Sequence, residues 1–148
     1  MSVLGVLRAG FVAASLLLTG SCGFEPAADV PMKAPALYRT WWARTEACSG
    51  RTGDFDRVQW FVIDGPGFTC PGGTCAGHWE SSHRIYLAGD YRSSEMVVRH
   101  EMLHELLGRP GHPDPPFGAE CPLTWSSWNG DRAALGDNPG RPDTLRID

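Results

Sequence analysis

Charged residues are scarce in this chain: they make up 20% of its 148 residues, 13 basic and 17 acidic, for a net charge of −4. No basic stripe is present, so the electrostatic footprint of a nucleic-acid binder is missing and no nucleic-acid partner is expected. Long apolar runs are absent as well. The main one, 9–18, falls well short of the roughly 20 residues that a membrane-spanning helix needs. No C-x-x-C pair occurs, so a structural zinc site built from cysteines is not expected. No internal repeat is visible. What the chain has in quantity is glycine and proline, 18 and 12 residues. That balance implies one loop-rich domain whose small core needs reinforcement beyond hydrophobic burial.

The first residues read as an export signal. Arg8 supplies a positive charge, 9–18 is mostly apolar, and Thr19, Gly20 and Ser21 are small residues before Cys22. Residues 1–21 are therefore expected to be a signal peptide. The stretch LLLTGSC resembles the lipobox of bacterial lipoproteins, although Thr19 stands where that pattern usually has leucine. The resemblance implies lipidation of Cys22, a membrane anchor, and a tether over 22–35 leading to the folded domain. The expected location is the bacterial cell envelope, or the periplasm or exterior if the signal is simply cleaved. With Cys22 assigned to lipid, Cys48, Cys70, Cys75 and Cys121 remain, an even number in an oxidising compartment. They allow three disulfide pairings. Cys70 and Cys75 flank the turn-forming Pro71-Gly72-Gly73-Thr74 and are expected to pair, leaving Cys48 for Cys121.

Along the chain, 36–48 (ALYRTWWARTEAC) carries a helical stripe of Leu37, Trp41, Thr45 and Cys48, ended by Ser49-Gly50. Residues 58–64 (VQWFVID) are β-branched and aromatic and predict a strand stopped by Gly65-Pro66-Gly67. Residues 70–77 read as a glycine-rich loop. Residues 83–88 (HRIYLA) alternate and predict a second strand. A long helix is expected over 94–107, with Ser93 as N-cap and Gly108 as its stop. The polar, Gly/Pro-rich 126–148 reads as a tail. The expected fold is α+β over 36–125, a small antiparallel sheet with an N-terminal helix and a second, chemically loaded helix.

The chemical load is His100-Glu101-Met102-Leu103-His104. On a helix, residues four apart share a face, so His100 and His104 can reach one metal ion with Glu101 beside them. Both histidines fall on the stripe Met96, His100, Leu103, His104, Leu107, which places them toward the interior. There an unpartnered imidazole is costly.

HEMLH resembles the zincin metallopeptidases. The resemblance implies a zinc cofactor, His100 and His104 as ligands, and Glu101 as general base for hydrolysis of a peptide or protein substrate. A third ligand should follow downstream. The continuation HELLGRPGHPD departs from the metzincin HExxHxxGxxH: Gly108 is one residue late, His112 is two late, and no methionine follows Met102. His112 is preferred because neutral imidazole suits zinc and Gly108, Pro110 and Gly111 permit the bend. Asp114 and Glu120 stay open. The strand 83–88 is expected to form the cleft rim on which an extended substrate pairs. Tyr86 or Arg109 could steady an oxyanion, and His78 and His83 are read as bystanders. The six tryptophans are expected to supply buried area. The alternative to a zinc peptidase is a non-catalytic envelope lipoprotein with a structural zinc.

Overall fold

Capping chemistry sets both helices. The computed structural model describes Phe24, Pro26, 28–130 and 145–147. Helix α1, Ala36–Ser49, ends at Gly50, whose left-handed φ of 64° returns its N–H to the Glu46 carbonyl. Helix α2, Glu95–Leu107, starts at Ser94, whose hydroxyl accepts from the Val97 N–H, and ends at left-handed Gly108. The N-cap is thus one residue later than Ser93. On α1, Leu37 points to solvent while Tyr38, Trp41, Trp42 and Thr45 are buried. The buried face is set by the aromatic pair rather than by the four-residue stripe.

The fold class is α+β, and its sheet is mixed rather than wholly antiparallel. Among the described residues it has six strands: β1 (Asp29–Met32), β2 (Gln59–Ile63), β3 (Phe68–Cys70), β4 (Gly73–Glu80), β5 (Arg84–Ala88) and β6 (Leu145–Ile147). β1 is antiparallel to β2, β2 parallel to β5, and β5 antiparallel to β4. β4 then pairs with β3 and, along its opposite edge, with β6, so that Cys75 faces both Phe68 and Arg146. The segment read as a glycine-rich loop is therefore a hairpin. Gly72 and Gly73, with φ of 97° and 148°, turn the chain there.

Two strands lie outside the expected 36–125 domain. β1 falls within the supposed tether. Its Pro31 lacks a ladder donor, which is tolerated because β1 is an edge strand. β6 falls within the supposed tail. The signal segment and Cys22, like most of that tail, lie outside the described residues.

Register puts Trp60, Ile85 and Trp79 side by side on one sheet face, and Phe61, Tyr86 and His78 on the other. The helices cover the first face. Tyr38 of α1 meets Trp60, and α2 packs on both α1 and β4. Glu95 ties the helices, accepting from Arg44 at 3.0 Å and Arg99 at 2.9 Å, while Arg99 Nε donates to Thr45 Oγ1. Phe24 lies against Tyr86 and His78 on the other face. The expected disulfides are both formed, Cys48–Cys121 and Cys70–Cys75. Among the described residues, no helix is long and apolar enough to cross a membrane.

Candidate metal centre

Three imidazoles converge beneath α2. His100 and His104 are completely buried, while His112, returned by the Gly108–Gly111 bend, is exposed. The Nε2 atom of His100 lies 3.1 Å from Nε2 of His104 and 3.0 Å from Nε2 of His112. Three nitrogens bound tetrahedrally at about 2.0–2.1 Å from zinc would be roughly 3.3 Å apart. The observed spacings are slightly tighter and of the same form.

Backbone carbonyls fix the ring orientation. His100 Nδ1 donates to the Leu123 carbonyl at 2.6 Å, and His104 Nδ1 donates to the Arg109 carbonyl at 3.1 Å. A carbonyl can only accept, so both Nδ1 atoms carry the proton. In the neutral rings the Nε2 lone pairs are then turned toward each other, an arrangement that repels unless a cation lies between them. A proton is a poor choice of cation at His100. Burial holds its pKa well below the usual imidazole value, and the neighbouring His104 pushes the same way. The donor set therefore suits a metal ion: these three histidines can hold one. The carbonyl partners also match the outer hydrogen bonds that orient metal-bound imidazoles.

Apolar and aromatic groups hold the cluster in place. The buried Phe117 ring lies against all three imidazoles, with centroids 5.0, 5.1 and 4.8 Å from His100, His104 and His112. Trp79 stacks beside His104 and donates from Nε1 to Glu105. Glu105 in turn accepts from His83 Nδ1, because Arg57, always a donor, occupies His83 Nε2. His83 thus belongs to a structural network that braces the turn after His104.

Glu101 is fully buried, with its carboxylate over Gly77 of β4. It lies three residues before His104 and so shares that part of the helix surface. Of the three choices for the last ligand, the structure brings in His112. Asp114 instead turns back against Gly118, and Glu120 is exposed.

Other expectations change. β5 is paired on both edges, by β2 and β4, so the strand 83–88 cannot form the cleft rim. The strand that borders the centre is β4, which carries Gly77, His78 and Trp79. Tyr86 is buried and stacked on Phe61, away from any oxyanion. Arg109 contributes its carbonyl, not its guanidinium. Trp41, Trp42 and Trp60 are core residues as expected, whereas Trp79 also walls the site.

Two clefts reach the histidines, of about 290 Å³ beside His100 and about 380 Å³ beside His104, and both are lined by His112 and Arg146. A larger cavity of about 710 Å³ lies between β1, the start of α1 and β2. Among the described residues its lining includes no histidine or cysteine, so size does not mark the chemistry here. Phe117, Gly77, Leu123 and Arg146 carry no periodic or motif signal in the sequence. Only the proximity of Cys121 to Phe117 and Leu123 hints that this loop is pinned somewhere specific.

No family model, no curated protein and no solved structure matches this chain.

Proposed function

We propose that this protein is a zinc-dependent peptidase of the bacterial cell envelope, exported and anchored through lipid on Cys22. The observation that carries the reading is the convergence of His100, His104 and His112 through their Nε2 atoms, with Glu101 buried on the same helix. Zinc, when bound there, supplies Lewis acidity toward a carbonyl and toward water. Glu101 is assigned as the base that takes the proton of the attacking water and passes it to the leaving amine.

Two observations support catalysis over the alternative of a structural zinc in a binding lipoprotein. Structural zinc sites are usually closed by four protein ligands. Among the described residues this cluster has three, and open clefts approach it from two sides. The test is metal content and hydrolysis of a mixed peptide library by the exported protein and its variants. About one zinc per chain, lost in His100→Ala and His104→Ala, is expected. Glu101→Gln should keep the zinc and abolish hydrolysis. Unchanged zinc in the histidine variants would remove the metal site, and equal cleavage by Glu101→Gln would remove the catalytic assignment.

A further inference from the structure

The chain places a second carboxylate beside the centre, directly after His104 on α2. The Glu105 side chain is only 9% exposed. A donor sits on each of its oxygens: Trp79 Nε1 donates to Oε2 and His83 Nδ1 donates to Oε1, both at 2.6 Å. Neither partner can reverse its role. An indole N–H can only donate, and His83 Nε2 is committed as acceptor to Arg57 at 2.6 Å. Residue 105 must therefore accept twice. An ionised carboxylate does so, and an amide of the same shape cannot.

This network carries a cost in backbone strain. His83 stands in the turn between β4 and β5 with φ of 63°, and among the described residues it is the one non-glycine with a left-handed backbone. That conformation suits glycine, which has no β-carbon to crowd the chain. Strain of this kind persists where the surroundings over-determine it, and it gathers at functional sites. Here the strained residue is the one whose ring joins Arg57 to Glu105.

The bridge ends on the metal centre. Trp79 lies on β4, where pairing with Ile85 fixes its backbone. The bond to Glu105 fixes its ring, which stacks on His104 with centroids 6.2 Å apart and planes 22° apart. The helix end that carries His104 thus also holds the indole against it. We propose that Glu105 is a positioning residue of the metal centre: as the ionised link between Trp79 and His83, it holds the indole on His104 and sets how tightly the three histidines hold zinc. The proposal rests on the zinc reading above and not on catalysis.

The test is zinc affinity, measured by competition with a chromophoric chelator, together with the visible spectrum of the cobalt-loaded protein. The proteins compared are the exported chain and its Glu105→Gln and His83→Gly variants. Glu105→Gln turns a donor toward one of its two partners and should weaken zinc at least about tenfold, within the range for a lost outer partner. His83→Gly removes one donor but relieves the left-handed backbone, so the metal-free protein should melt within a few degrees of the parent. Its zinc affinity should still fall at least about threefold. Both variants should shift the cobalt bands, which follow the geometry of the ligands and not the stability of the fold. Zinc affinity within about twofold of the parent, with unshifted bands in both variants, would overturn the proposal and leave Glu105 as a brace for the fold. The zinc reading itself is scored on the parent. Zinc bound equally by parent and variants removes the positioning role alone, and no zinc bound by the parent removes both.

Discussion

Glu101 occupies the space that a side chain at residue 77 would need. A β-carbon built on Gly77 would stand 2.5 Å from Glu101 Oε1 and 2.9 Å from its Cγ. Gly77 is held on both sides, by Leu87 of β5 and Ile147 of β6, so the strand cannot retreat. Gly77→Ala should therefore displace the carboxylate rather than the sheet. Overpacking of this kind costs about 1–3 kcal/mol. The expected result is a modest fall in thermal stability, retained zinc, and a much larger loss of any hydrolytic activity. Equal activity in Gly77→Ala would mean that the position of Glu101 over β4 is irrelevant to function.

The three candidates for the last ligand separate by metal affinity. His112→Ala removes a donor atom 3.0 Å from His100 Nε2. Its effect should exceed the roughly 10–100-fold loss typical when only an outer hydrogen-bond partner is removed. Asp114→Asn and Glu120→Gln should leave zinc affinity within a few-fold of the parent. Competition with a chromophoric chelator measures all three. A large loss in either acidic variant, with His112→Ala unaffected, would reassign the ligand.

The features legible in the sequence were those with local causes. Ser94, Gly50 and Gly108 act through capping and left-handed turns within a few residues, so both helices could be read to within a residue or two. H-E-x-x-H could be read because helical spacing alone brings two histidines together. What stayed hidden depends on distant pairing. Val30 and Pro31 show no alternation, and β1 exists because β2 offers an edge. β6 is three residues long and has meaning only beside β4. Phe117 seats three imidazoles from a proline-rich loop whose path no periodicity encodes.

Acid should destabilise the metal-free protein. The His100 pKa is depressed in the folded state, chiefly by burial. Above about pH 6.5, the ordinary value, the ring is neutral whether the chain is folded or not, and the folded state bears no penalty. Below that, the unfolded chain takes up a proton that the folded chain refuses, so stability falls as pH drops toward the folded value. The slope for this one group approaches about 1.4 kcal/mol per pH unit. Urea melts with chelator present, at pH 7.5, 6.5, 5.5 and 5.0, should show stability level above the first bend and declining below it. A flat profile down to pH 5 would mean that His100 accepts a proton in the folded protein.

The two disulfides should have different consequences. Cys48–Cys121 joins residues 73 apart and Cys70–Cys75 joins residues 5 apart. On a chain-entropy basis the first contributes about 4 kcal/mol and the second about 2 kcal/mol. Their relation to the histidines differs more sharply. Cys121 lies between Phe117, which packs against all three rings, and Leu123, whose carbonyl orients His100. Freeing that loop from α1 should loosen both supports at once. Cys48→Ser with Cys121→Ser is expected to lower the melting temperature and to weaken zinc binding by roughly 10–100-fold, as for loss of an outer partner. Cys70→Ser with Cys75→Ser should cost less stability and leave zinc affinity within a few-fold, because none of the three histidines comes from that hairpin and Trp79, its residue beside His104, is held by pairing with Ile85 and by Glu105. If both pairs affect zinc equally, the disulfides act only through global stability and the loop from Phe117 to Leu123 holds its shape without Cys121.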